Sequence, residues 1–187
     1  KTLKSLLLVA AALAVLPGCS KSTDGKAESQ VAPAGTDANI EVAHVADSTA
    51  EPDGSMVDDF SNPTKNSLGI ERLFLDDTTG GGQTTTKHSV ENGVLSKKGQ
   101  LVPARGQPGW SSIALLLDPQ GQPQDRSDYQ GVRLVVKVNA GNLSISANST
   151  EITNFDYHAS TVALKNDGKF HEVKIPFAEM KRAWSAQ

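Results

Sequence analysis

The chain has 187 residues, a formal net charge of -3 and a sequence pI of about 5.8. This weak negative charge attracts neither nucleic acid nor an anionic bilayer, so no nucleic-acid partner is expected. With 37% hydrophobic and 21% charged residues, the composition is that of a globular protein with length for one domain and additional segments. The single cysteine excludes an internal disulfide and requires another explanation.

The N-terminal segment over 1–18 has the layout of a signal peptide. Lysines at its start precede an almost unbroken apolar run over 6–16, which is shorter than the roughly 20 residues that a membrane-spanning helix requires. We therefore predict a helical signal peptide that is removed on export. The only cysteine of the chain, Cys19, follows it directly.

The residues before Cys19 explain that cysteine. They read Leu16-Pro17-Gly18-Cys19 and resemble the lipobox of bacterial lipoproteins. The resemblance implies that Cys19 receives diacylglycerol and becomes the first mature residue, anchored firmly because two or three acyl chains hold it. Ser20, in place of aspartate, implies the outer membrane of a bacterial cell envelope, facing the periplasm. The alternative is an ordinary secretory signal with an incidental cysteine.

The segment over 19–56 is interpreted as the lipidated cysteine followed by a flexible linker. It contains no aromatic residue and is rich in Ala, Ser, Thr, Asp, Gly and Pro, so it buries too little apolar surface to fold alone. A flexible chain of this length spans about 30 to 35 Å. The linker would therefore let a domain stand clear of the lipid headgroups.

The remaining segment, 57–187, reads as an all-β domain. All aromatic residues lie between Phe60 and Trp184, and short apolar alternations are separated by Gly, Asp, Asn and Pro. About seven short strands favour a sandwich of two antiparallel sheets, of immunoglobulin or jelly-roll type. The predicted strands lie over 72–75, 87–95, 112–117, 132–138, 143–148, 155–160 and 172–177.

Two of these predictions concern pairing and burial. Gly141-Asn142 separates two alternating runs and predicts that they form a β-hairpin. Alternation along the last two strands predicts which side chains face the core of the sandwich. These core positions are Phe155, Tyr157, Val173 and Ile175.

Several stretches together resemble the complex I intermediate-associated protein 30 family. They are Val57-Asp58-Asp59-Phe60, Gly80-Gly81-Gly82 with the threonine run after it, Pro108-Gly109-Trp110-Ser111-Ser112, and the segments 128–134, 154–159 and 170–177. The resemblance covers about 57–184 and implies a galactose-binding-like jelly roll, similar also to family 11 carbohydrate-binding modules. Members usually carry further strands after the last of these segments, so we expect the domain to be truncated at its C-terminus.

No motif in the sequence predicts catalysis, a metal or a cofactor. The glycine run at 80–82 lacks the Lys-Ser/Thr of a phosphate loop, and Ser111 and Ser112 lack the flanking glycines of a nucleophile elbow. The histidines have no ligand spacing for zinc. The pairs Asp58-Asp59 and Asp76-Asp77 leave open a structural calcium ion or, as the commoner case, acidic turn residues.

Candidate binding residues come from strand alternation and from two aromatic side chains. Arg133, Asp156 and His158 are predicted to share the polar face of the later strands. Trp110 and Tyr129, in turn-rich segments, are either ligand platforms or caps on the core. The resulting hypothesis is a non-catalytic lipoprotein that binds an unknown protein partner or assists assembly at the envelope. The alternative is a carbohydrate-binding module that recognises a glycan, and a hydrolytic enzyme has little support.

Overall fold

The computed structural model describes residues 6–14, 35–44, 56–104 and 106–185. In these ranges the chain forms β-strands and two short 3-10 turns, and no α-helix. All strand pairs are antiparallel, which confirms the predicted all-β class. The strands are β1 (Leu6–Ala14), β2 (Thr36–Ala43), β3 (Leu73–Asp76), β4 (Thr85–Glu91), β5 (Val94–Leu101), β6 (Trp110–Ala114), β7 (Gly131–Ala140), β8 (Leu143–Ser149), β9 (His158–Val162), β10 (His171–Pro176) and β11 (Lys181–Arg182).

The strands form two sheets with the main hydrophobic core between them. One sheet has six strands in the order β11-β9-β8-β1-β6-β3, and the other has five in the order β10-β7-β2-β5-β4. Both sheets contribute alternate apolar side chains to one buried cluster, as expected for a sandwich. The cluster includes Ala38, Ile40, Leu101, Val136, Val138 and Ile175 from the five-stranded sheet, and Leu143, Ile145, Ala147 and Val162 from the six-stranded sheet.

A buried ion pair fixes the segment that leads into β3. The Arg72 guanidinium donates from Nε to Asp58 Oδ2 at 2.6 Å and from Nη2 to Asp58 Oδ1 at 2.8 Å. Its third nitrogen, Nη1, donates to the Asn62 carbonyl at 2.9 Å, and the group lies 5.4 Å from the Phe60 ring centroid. The Asp58 carboxylate is therefore engaged by this bidentate contact.

A lysine lies inside the sandwich near the second, smaller apolar cluster. Lys97 on β5 is only 4% exposed, and its Nζ donates to the Ser112 carbonyl at 2.7 Å. Burial lowers the pKa of Lys97 from 10.5 to about 8, against the opposing influence of the Asp76 charge. The folded protein therefore holds an ammonium group largely out of water at neutral pH.

The first two segments contain β-strands that the sequence did not predict, while the removal of 1–18 as a signal peptide stays a prediction. Leu6–Ala14 is the strand β1, paired with β6 and β8, where a signal-peptide helix was predicted. A short continuous apolar run is compatible with a strand as well as with a helix, and periodicity does not separate the two. Within the predicted flexible linker, Thr36–Ala43 is the strand β2, paired with β5 and β7. Cys19 and Ser20 lie outside the described residues.

The predicted hairpin over 132–138 and 143–148 is wrong in its pairing. Both strands exist, as β7 and β8, but they belong to different sheets. Their apolar faces meet across the core, so Gly141, at a φ of 86°, turns the chain from one sheet to the other. Conversely, the predicted strand 87–95 contains the turn Asn92-Gly93, with φ angles of 52° and 72°, which joins β4 to β5 as a hairpin.

The predicted core positions are half correct. Ile175 is 5% exposed and Val173 packs against the main core, as alternation predicts. Phe155, however, is 97% exposed and lies before β9, in a loop. Within β9, His158 lies opposite Ala147, so His158 faces inward. The predicted phase of this strand was therefore shifted by one residue, which exchanges the two faces of a strand.

Candidate functional site

The glycine run identified in the sequence forms a tight loop after β3. A 3-10 turn over Asp77–Gly80 begins here, with Asp76 as its cap, because the Asp76 carboxylate accepts the Thr78 N–H at 3.1 Å. Gly81 ends the turn at a φ of 82°, a left-handed conformation that glycine adopts without strain. The loop returns on itself, and the Gly82 N–H donates to the Asp77 carbonyl at 2.8 Å.

The carboxylate of Asp77 joins this loop to two other strands. It is 8% exposed and accepts three hydrogen bonds. The donors are the Thr84 N–H at 3.1 Å, the Thr84 hydroxyl at 2.7 Å and the Trp110 N–H at 3.2 Å. The Thr84 hydroxyl oxygen in turn accepts the Val102 N–H at 3.2 Å. Segments next to β3, β4, β5 and β6 are thus held together at one buried charge.

Two glycines are required by close packing at this point. A Cβ atom on Gly82 would lie 2.3 Å from Asp77 Cγ and Oδ1, and one on Gly109 would lie 2.6 Å from Val102 N. A Cβ atom essentially never approaches another heavy atom so closely, because the interior is packed at van der Waals distances. The two motifs, Gly80-Gly81-Gly82 and Pro108-Gly109-Trp110, therefore supply the space in which the Asp77 carboxylate sits.

The loop and the start of β6 border a cleft. Its volume is about 210 Å³, which is smaller than the roughly 300 to 1,000 Å³ of sites for drug-sized ligands. Trp110 contributes a half-buried aromatic surface, and Gln107 contributes an amide that both donates and accepts hydrogen bonds. The described lining residues are Asp77, Thr79, Gly80, Gly81, Gly82, Ala104, Gln107, Pro108 and Trp110.

This lining favours binding over catalysis. Its one carboxylate is engaged by protein donors, and no histidine, lysine or cysteine is among the described lining residues. A nucleophile and a base within hydrogen-bond reach are the minimum for covalent catalysis. In the part of the chain that the structure describes, no group of three His, Cys, Asp or Glu side chains is arranged to hold a metal ion.

The residues predicted as one polar patch lie in different places. Arg133 is on the five-stranded sheet, where its Nη2 donates to Glu172 Oε2 at 3.0 Å. His158 is the first residue of β9 in the six-stranded sheet, and Asp156 lies in the loop before β9. His158 Nε2 is buried without a hydrogen-bond partner among the described residues. Alternation does not predict the sheet to which a strand belongs, and in β9 it also assigned His158 to the wrong face.

Asp156 anchors the C-terminal segment that follows β11. It is 4% exposed, and its carboxylate accepts the N–H groups of Tyr157 at 2.8 Å and Ala183 at 3.2 Å. Arg182 Nε donates to it at 2.9 Å, and the Ser185 hydroxyl also donates. Burial alone raises the pKa of Asp156, but the hydrogen bonds from Ser185, Arg182 and Tyr157 outweigh it and hold the pKa well below its usual range.

The two predicted aromatic candidates are also separated. Trp110 lines the cleft. Tyr129 lies before β7, where its N–H donates to the Arg126 carbonyl at 3.0 Å and the Arg126 guanidinium carbon lies 5.7 Å from its ring centroid. Only Trp110 of the predicted binding residues therefore lies at the cleft.

Sequence reasoning missed the central role of Asp77 and Thr84. The Asp76-Asp77 pair and the glycine run were both noticed, but Trp110 is far from them along the chain. Each motif alone reads as a turn. The one indication in the sequence was that a glycine-containing turn precedes a predicted strand at both places.

The described residues thus form an antiparallel β-sandwich with a lined cleft beside the Asp77 carboxylate. The family model for Complex I intermediate-associated protein 30 (CIA30) matches residues 59–187, and the chain belongs to this family. The resemblance to this family is thereby confirmed, whereas the jelly-roll topology that it implies stays a prediction. The family is associated with complex I assembly, and the absence of enzymatic activity in this chain stays a prediction.

Two other comparisons add no relatives. Neither the curated proteins nor the solved structures include a significant match to the chain. Within the described residues, no helix has the length and apolar character to cross a membrane.

Proposed function

We propose that the chain is a non-catalytic bacterial lipoprotein whose β-sandwich domain binds a protein partner during assembly at the cell envelope. The lipid on Cys19 holds it at the membrane, with the outer membrane, facing the periplasm, as its location. Membership of the CIA30 family supports the assembly role. The sequence around Cys19 supports the anchor.

The observation that carries partner binding is the cleft beside the Asp77 network. Three hydrogen bonds to the buried carboxylate fix the glycine-rich loop against the start of β6 before any ligand arrives. Because the loop and the start of β6 are already ordered, they lose little conformational entropy when a partner binds. Trp110 offers the kind of aromatic surface that dominates the binding energy of protein interfaces.

The test of the cleft is crosslinking of the full-length, membrane-anchored protein in its native host. A photoreactive amino acid replaces Gln107, and the captured partner is identified by mass spectrometry. Trp110→Ala in the same background should reduce capture of that partner at least tenfold. Phe170→Ala removes an aromatic side chain that is 39% exposed elsewhere and should leave capture unchanged. Equal capture by the parent and Trp110→Ala would remove the cleft from the proposal.

The lipid anchor has a separate test. Mass spectrometry of the mature N-terminus should find a diacylated cysteine at position 19, and Cys19→Ser should leave the precursor unprocessed. An unacylated start, or cleavage elsewhere, would leave a secreted domain without an anchor.

The second candidate function is a carbohydrate-binding module. The observation that favours it is the exposure of two aromatic side chains away from the cleft, Phe155 at 97% and Trp184 at 61%. Exposed rings are the usual surface on which sugars stack. A glycan array probed with the full-length protein tests this function, and absence of saccharide binding would count against it.

A further inference from the structure

The loop before β9 holds an aromatic residue in an unfavourable state. Phe155 is 97% exposed, and its φ of 63° lies in the left-handed region that bulky side chains rarely adopt. The exposed Phe155 ring contributes no free energy from burial, and the left-handed backbone at this residue lowers the stability of the folded domain. Strain of this kind persists where the surrounding structure imposes it, and such positions cluster at ligand sites.

The residue that follows Phe155 is anchored by several hydrogen bonds to its side chain. The carboxylate that follows Phe155 accepts the N–H groups of Tyr157 at 2.8 Å and Trp184 at 3.3 Å. One buried group therefore fixes the backbone on which both exposed rings are carried. Trp184, at 61% exposure, is the second of these rings.

Polar side chains are held beside the rings in fixed orientations. Arg182 Nη2 donates to Asn154 Oδ1 at 2.9 Å and to the Ser185 hydroxyl at 2.8 Å. The bond from Arg182 holds the Asn154 side chain in place, and an amide group carries both donors and an acceptor. Arg182 is paired with Asp156 at 2.9 Å, so its charge is balanced and the group favours neutral acceptors.

The combination matches the chemistry of a sugar. The C–H face of a pyranose gains by stacking on an aromatic ring, while its hydroxyls accept from amide and guanidinium N–H groups. A protein partner needs roughly 800 Å² on each side of a stable interface, far more than two rings supply. We propose that Phe155 and Trp184 form a platform for a neutral saccharide, with Asn154 and Arg182 bonding its hydroxyls.

This inference deepens the second candidate function and is independent of the first. The platform shares no residue with the cleft that contains Asp77 and Trp110. Unchanged partner capture in Trp110→Ala would therefore not contradict the platform, and absence of saccharide binding would not contradict the role of the cleft.

The test is isothermal titration of the full-length protein in detergent micelles with three neutral oligosaccharides: cellohexaose, chitohexaose and a galactan hexamer. At least one should bind with a millimolar or lower dissociation constant. Phe155→Ala and Trp184→Ala should each weaken that binding at least tenfold, whereas Phe170→Ala should leave it unchanged. No heat of binding with any of the three, or unchanged affinity in both platform variants, overturns the proposal.

A second variant separates the platform from folding. Phe155→Gly removes the ring and places glycine at the left-handed position, so it should raise the melting temperature while it abolishes saccharide binding. A structural role for Phe155 predicts the opposite, with a lowered melting temperature and unchanged affinity. That outcome would also overturn the proposal.

Discussion

Substitution of Gly82 by alanine should destabilise the domain through the Asp77 carboxylate. The new Cβ would lie 2.3 Å from Asp77 Cγ, so the carboxylate must move. Movement weakens three hydrogen bonds to a charged group, each worth about 1.5 to 3 kcal/mol, and overpacking of this kind usually costs about 1 to 3 kcal/mol. Since partial relaxation preserves some of the bonds, we expect a loss of about 2 to 4 kcal/mol in the free energy of unfolding.

The assay is urea unfolding followed by circular dichroism, in which Gly82→Ala should lower the midpoint by about 1 to 2 M without changing the m-value. The matched control is Gly80→Ala in the same loop, where nothing lies within 4 Å of the new Cβ. Because alanine also restricts the unfolded chain, this control should be neutral or slightly stabilising. Equal midpoints for the two variants would refute the steric role of Gly82.

Three further predictions concern charged groups. Arg72→Ala should lower the free energy of unfolding in urea by about 3 to 5 kcal/mol, because it leaves the Asp58 carboxylate buried and unpaired. The control Arg133→Ala breaks a partly exposed pair and should lower it by less than about 1 kcal/mol. Equal losses in the two variants would contradict the importance of the buried pair. Lys97→Met should raise the urea midpoint at pH 7, because it removes a buried charge. This advantage should shrink between pH 8 and 10.5, where Lys97 of the parent is neutral when folded but still binds a proton when unfolded. A constant advantage across this range would show that Lys97 is not desolvated. Asp156 stabilises the folded protein above its unfolded pKa of about 3.9, and this stability is lost as pH falls toward its lower pKa in the folded state. In Asp156→Asn, the free energy of unfolding should therefore fall less steeply with pH below pH 4 than in the parent. Identical slopes in the two proteins would argue against the hydrogen-bond network around Asp156.

The strands with regular apolar alternation were predictable from the sequence. Val173 and Ile175 were assigned to the core correctly, since each alternates with charged neighbours along a strand without irregularity. Phe155 was assigned wrongly because its aromatic character suggested burial, while the left-handed turn at this residue resets the alternation before β9 begins. A turn that shifts the chain by one residue exchanges the faces, and periodicity alone does not reveal it.

Pairing between distant segments was not predictable. The strand β2 lies in a stretch without aromatic residues, and its alternation of Ala38, Ile40 and Val42 with polar side chains is short. Its stability comes from hydrogen bonding to β5 and β7 on both sides, which is information about neighbours and not about the strand itself. The Asp77 network has the same character, because its donors come from two later segments of the chain.

The position of β1 between β6 and β8 makes the six-stranded sheet depend on segments that are far apart along the chain. Leu6–Ala14 is synthesised early, whereas its partners Trp110–Ala114 and Leu143–Ser149 follow much later. At about 5 to 20 residues per second, the segment waits on the order of ten seconds for these partners during synthesis. The six-stranded sheet should consequently form only after β8 has been made, later than the hairpin of β4 and β5, whose strands are neighbours along the chain.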